Sequence, residues 1–89
     1  MKTVVSVIGK DGVGIIADVS AVCNECNANI VDITQSVLQD MFVMVMLTEI
    51  KELNCSFAEF SDKMKNLGAK KNLDIRVMHE DIFNSMHRI

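Results

Sequence analysis

What most limits the folds open to this chain is the order in which its apolar residues change spacing. Thr3 to Ile8 is largely β-branched and apolar and stops at Gly9, as a buried strand does. Lys10-Asp11-Gly12-Val13-Gly14 makes a short glycine-rich turn, after which Ile15, Ile16, Val19, Val22, Cys23 and Cys26 recur at helical spacing. Asp11 or Gly12 suits the start of that helix as a cap, and Asn27, of a residue type that tolerates the left-handed conformation, suits its end. Ile30 to Leu38 returns to a strand, with Val31, Ile33 and Val37 on one face and Asp32, Thr34 and Ser36 on the other. Gln39-Asp40 turns the chain into Met41 to Ile50, a strand apolar on both faces through Leu47.

Lys51 to Cys55 is a polar connection, and Ser56 opens a capping box. Its hydroxyl accepts from the Glu59 N–H while the Glu59 carboxylate reaches back to the cap. Phe57, Phe60, Met64 and Leu67 restore helical spacing, and Gly68 within this helix weakens it by about 1 kcal/mol relative to Ala. Asn72 repeats the role of Asn27, and Leu73 to His79 alternates Leu73, Ile75 and Val77 against Asp74 and Arg76. Glu80 to Ile89 reads as a short helical tail with Ile82, Phe83, Met86 and Ile89 on one side.

The resulting order is β-α-β-β-α-β plus a tail. Two short β-α-β halves predict a ferredoxin-like α+β sandwich: an antiparallel four-stranded sheet with both helices on one face. The halves rhyme, since Asn-Ala-Asn-Ile-Val-Asp-Ile and Asn-Leu-Asp-Ile-Arg-Val each carry a helix through Asn into a strand. With 89 residues, no Pro and no low-complexity stretch, residues 1–89 are expected to form a single domain.

Composition excludes several function classes. Apolar residues are 49% of the chain, yet no run approaches the about 18 needed for a membrane helix. The start, Met1-Lys2-Thr3-Val4-Val5-Ser6, lacks the pattern of a signal peptide, so a cytoplasmic location is expected. Three cysteines in such a chain read as reduced thiols rather than a disulfide scaffold. A net charge of −3, with no Trp or Tyr, argues against nucleic acid, which needs clustered cations and stacking surfaces. His79 and His87 have no nearby Ser or Cys arrangement that suggests a nucleophile and base, so a catalytic constellation is lacking and the chain is expected not to be an enzyme.

The stretch from Val4 to Ile33, and within it Gly9, Asp11, Gly14, Asn29 and Ile30, resembles the opening of an ACT domain, a regulatory module attached to many enzymes of amino-acid biosynthesis. The family pattern is a strand, a G-x-D-x-x-G turn, an amphipathic helix, then Asn-Ile entering the next strand. The tail is similar to that of small stand-alone bacterial ACT proteins related to regulators of glycine cleavage. Two positions depart from the pattern: Val13 stands where Pro is common, and Asn27 where Gly commonly ends the helix. Both are physically mild, because Pro at the first helical turn only pre-sets a φ that Val also adopts.

The resemblance implies an amino-acid site between the first β-α turn and the start of the second strand of a neighbouring copy. The residues it implies are Asp11, Gly12, Val13, Gly14, Asn29 and Ile30. The physics agrees: a helix start offers N–H donors to a carboxylate, glycines allow close approach, and Asp11 and Asn29 offer partners to an ammonium. The same residues also serve a plain tight turn, with Asn29 capping its own loop.

Cys23-Asn24-Glu25-Cys26 is a C-x-x-C, but metal chaperones of similar topology carry that pair in the loop after the first strand. Here it lies on the apolar stripe of a helix, where Cys packs as a small hydrophobe, and a zinc site would need further ligands that His79 and His87 are too far along the chain to give. No metal or cofactor is expected. Acylphosphatases share the topology, but their turn needs an Arg where this chain has only Lys10. Lys63, Lys65, Lys70 and Lys71 read as a solvated helix face. The third strand lacks the alternation of a half-covered sheet, which points to an oligomer face. The leading expectation is therefore a regulatory module binding an amino acid or similar metabolite as a homodimer or higher homo-oligomer. The alternative is a protein-interaction module with an empty turn, docking onto a metabolic enzyme or regulator.

Overall fold

The computed structural model describes residues 1–10 and 13–82. Among them the order is β1 (Lys2–Gly9), α1 (Ile15–Cys26), β2 (Asn29–Leu38), β3 (Met41–Glu49), α2 (Phe57–Lys71) and β4 (Asp74–His79). This is the β-α-β-β-α-β order read from the sequence. A helical turn begins at residues 80–82; Phe83, Met86, His87 and Ile89 of the expected tail lie outside the described residues.

The strands form one antiparallel sheet in the order β2-β3-β1-β4. Pleating sends Val5, Val7, Phe42, Met44, Met46 and Ile75 to one face, where Ile15, Val19, Cys23 and Cys26 of α1 and Phe60 and Met64 of α2 cover them. The Cys23 thiol lies 3.8 Å from the Met46 sulfur, which fixes α1 over β3. Thr3 and Thr48, both fully buried and directly paired across β1 and β3, bring their hydroxyl oxygens to 2.5 Å. On the opposite face Met41, Val43, Val45 and Leu47 are half-buried, so β3 is apolar on both sides.

Both helices end as their sequence predicts. Asn27 (φ 62°) and Asn72 (φ 59°) adopt the left-handed conformation, and their backbone N–H groups close the final turns onto Cys23 and Asn24, and onto Gly68. The Ser56 hydroxyl accepts from the Glu59 N–H at 3.1 Å, as expected of a cap. Three details differ. The N-cap of α1 is Gly14 at φ 75°, with no side-chain cap bond, because the chain enters the helix through a left-handed step. Asp11 and Gly12, the expected caps, lie outside the described residues. A register shift between Ile30 and Asp32 turns Val31 outward (46% exposed), so Ile30 joins Ile33 against the core instead. Gly68 is more than a weak helical position: a Cβ there would lie 2.7 Å from the Leu73 carbonyl oxygen, so it permits the close approach of α2 to the entry of β4.

The lysine face of α2 also departs from a purely solvated one. Lys63 pairs with Glu25 and Lys71 approaches Asp18 at 3.7 Å, so two of the four lysines tie α2 to α1. Both pairs are partly exposed, where such contacts contribute little individually.

Candidate functional site

The described residues of the expected site, Val13 and Gly14 on one side and Asn29 and Ile30 on the other, fall at opposite ends of the sheet, while Asp11 and Gly12 lie outside the described residues. Gly9, where β1 ends, pairs with Phe42, which pairs with Val37 near the end of β2. Asn29, where β2 begins, pairs with Glu49, which pairs with Lys2 at the start of β1. The 12-residue helix α1 runs between the two ends, a span of about 18 Å. A single chain therefore does not bring Gly14 and Asn29 together.

At the turn end, Val13 is 87% exposed and Gly14 is exposed, while Ile15 plugs the helix start into the core. The Gly14 carbonyl accepts from the Asp18 N–H at 3.0 Å, the first helical bond of α1. A helix start carries amides beyond the reach of intrahelical carbonyls and the positive end of the dipole, so this end is suited to an anion. A Cβ at Gly14 would meet nothing within 4 Å; the demand for glycine there is conformational.

At the other end, Asn29 lines an open cleft of about 440 Å³ with Asn24, Asn27, Ala28, Glu49, Lys51 and Glu52. Apart from Asn29 this cleft was not expected from the sequence; its one legible sign is that β3, apolar through Leu47, ends in Glu49. The Glu49 carboxylate accepts from the Met1 ammonium at 2.7 Å and from the Lys51 N–H at 3.2 Å. The ammonium bond, above all, holds the Glu49 carboxyl below its usual pKa range. Asn27 Nδ2 donates to the Glu52 carbonyl at 2.8 Å, so the cap of α1 also fixes the far wall of the cleft.

The C-x-x-C packs as expected: Cys23 and Cys26 are both buried in the core cluster. Burial first, and then the charge of Cys26, pushes the Cys23 thiol up to about 11. Cys26 is likewise raised to about 11, first by burial and then by its side-chain contact with Cys55, against a lowering by Lys63. The partner of Cys26 across the fold is thus Cys55, a pairing that no spacing in the sequence signals. Among the described residues no cluster of His, Cys, Asp and Glu has the arrangement to hold a metal ion. No helix among them is long and apolar enough to cross a membrane.

A sheet of this order with its glycine-started first helix defines the class of the chain. The model of the ACT domain family matches residues 2–78, and the chain belongs to that family of regulatory modules. Among its relatives is a UPF0237 protein of Clostridium perfringens, 47% identical over 89 residues and covering all of both chains. An ACT domain protein from Streptococcus pneumoniae has a solved structure with a TM-score of 0.81, 32% identity and 93% of each chain covered. A glycine cleavage system transcriptional repressor, at 20% identity and a TM-score of 0.64, shares the fold over 85% of this chain and 43% of its own.

Proposed function

We propose that the chain acts as a homo-oligomeric sensor of an amino acid or related carboxylate, with each site assembled from two copies. The observation that carries this reading is the separation of Gly14 from Asn29 together with the exposed edge of β2. That edge is ten residues long, and Val37 and Leu38 on it are 71% and 70% exposed. An edge of this length presents unpaired backbone groups to another strand. If two β2 strands pair antiparallel about a two-fold axis, the Asn29 end of one copy lies beside the Leu38 end of the other, where its α1 begins. The ligand carboxylate then meets the helix-start amides around Val13 and Gly14. Its ammonium meets Asp11 and the Asn29 amide of the neighbour. Gly12 and Ile30 complete the walls. Such a module performs no chemistry and works in the cytoplasm.

The test combines sedimentation with calorimetry over the full set of amino acids. The expected outcome is a mass above the 9.9 kDa of one chain and a ligand that raises the melting temperature. Asn29→Ala should weaken binding by about 1–3 kcal/mol, and Gly14→Val should abolish it by straining the left-handed cap. A persistent 9.9 kDa species, or no heat with any amino acid, sinks the sensor reading. The second reading, an interaction module with an empty turn, draws on the apolar outer face of Val43, Val45 and Leu47 and predicts an oligomer without ligand.

A further inference from the structure

The connection from β3 to α2 is fastened to the end of α1 at several points. The Asn54 N–H donates to the Cys26 carbonyl at 2.9 Å, and Asn54 Nδ2 donates to the Glu25 carbonyl at 2.9 Å. Asn27 Nδ2 holds the Glu52 carbonyl at 2.8 Å, and Lys63 of α2 pairs with Glu25. These bonds seat Cys55, the residue after Asn54, against Cys26, whose side chain it contacts. Cys26 is buried and Cys55 is half-buried, so Cys55 is the more accessible residue of the pair. Lys63 places a cation beside both sulfurs, the sign of charge that favours thiolates.

We propose that Cys26 and Cys55 are an oxidisable pair, at which a hydroperoxide closes an intrachain disulfide between the end of α1 and the residue before the cap of α2. The Cys55 thiolate attacks a peroxide oxygen, the O–O bond breaks, and hydroxide leaves and takes up a proton to become water. Cys55 is left as a sulfenic acid. The Cys26 sulfur then attacks the Cys55 sulfur, the S–O bond breaks, and a second water leaves with the Cys26 proton. Two thiols and one hydrogen peroxide thus give one disulfide and two waters. The reaction is slow at neutral pH, because burial keeps Cys26 protonated. Cys23 takes no part: its thiol is fully buried and directed at the Met46 sulfur.

The link would pin the connection that forms the Glu52 wall of the polar cleft, and it does so whether or not that cleft or the first turn holds a ligand. It would also close a loop from residue 26 to residue 55, which restricts the unfolded chain.

The test treats the purified full chain with hydrogen peroxide at about pH 8, where more of an accessible thiol is ionised. The expected product is lighter by two hydrogens, yields a peptide joining Cys26 to Cys55, melts roughly 10 °C higher, and reverts with a dithiol. Cys55→Ser should lose the mass change and the shift in melting, while Cys23→Ala should keep both. Should Cys23→Ala fail to fold, the peptide map of the unaltered chain decides between the partners. A Cys23–Cys26 link, disulfide-joined dimers through Cys55, or stable oxygen addition at Cys55 alone would overturn the proposal. So would a Cys26–Cys55 link that lowers the melting temperature, since the folded geometry would then not hold the pair ready.

Discussion

The two edge strands of the sheet have similar apolar content and opposite surroundings. β4 is six residues long, its Ile75 is 5% exposed, and Val77, Met78 and His79 are half-buried. It lies beneath α2, with Phe57 stacked on His79 at 4.7 Å and Gly68 letting the helix settle onto its entry. β2 is ten residues long, and only Ile30 and Ile33 pack against the core. Its last two apolar residues, Val37 and Leu38, stand in solvent. The same residue types thus serve stability on one edge and remain free for association on the other. The difference tracks helix placement, because α2 packs along β4 whereas the Cys23 side chain of α1 reaches Met46 of β3.

Substitutions that shorten the two edges should separate these roles. Ile75→Ala should lower unfolding free energy by about 2–4 kcal/mol, the cost of a cavity in a packed site. Val37→Ala, at the exposed edge, should change it by less than about 0.5 kcal/mol. Equal losses in urea titrations would mean that β2 is as fully packed as β4.

Alkaline pH offers a probe of the packing beneath α1, where two buried thiols lie. Cys23 and Cys26 are raised from an ordinary value near 9 to about 11 in the folded chain. Between those values the unfolded chain has lost protons that the native chain keeps, so stability falls as pH rises from about 9 to about 11. The loss should be on the order of 2 kcal/mol per thiol. Denaturant curves that stay flat across this window would show that the thiols ionise without unfolding.

The smallest expected effect on the fold should be the largest on assembly. Val37→Lys combined with Leu38→Lys should leave the stability of the single chain within about 0.5 kcal/mol. Charge on an exposed edge discourages strand addition, so self-association by sedimentation should weaken at least roughly tenfold, about 1.4 kcal/mol. Unchanged association would move the interface from the β2 edge to the outer face of β3.

Much of this architecture was legible from residue type and spacing, and the exceptions have physical reasons. Asn27 and Asn72 could be read as helix ends because few side chains tolerate their conformation. Ser56 could be read as a cap because its hydroxyl has a defined partner three residues on. The outward turn of Val31 was not legible, because an extra residue in a strand leaves no mark on its composition. The cap of α1, unlike its start at Ile15, was not legible: Asp11 and Gly12 are of favoured cap types, and only the backbone path selects Gly14. For the candidate site, residue type places Gly14 at a turn and Asn29 at a strand entry, but their separation follows from strand register. The meeting of Cys26 with Cys55 depends on two helices and a connection packing together, which no local pattern encodes.

The buried hydroxyl pair of Thr3 and Thr48 has a consequence for how the two central strands find each other. On their core faces the neighbours are Val5 and Val7 opposite Met46 and Met44, side chains similar enough that a slide by two residues would preserve the apolar pattern. After such a slide each hydroxyl would face a hydrocarbon or thioether neighbour, and an unpartnered buried hydroxyl costs about 1–3 kcal/mol. The two threonines therefore act as a key at one end of an otherwise uniform seam, penalising every misaligned pairing while adding little to the grip of the correct one.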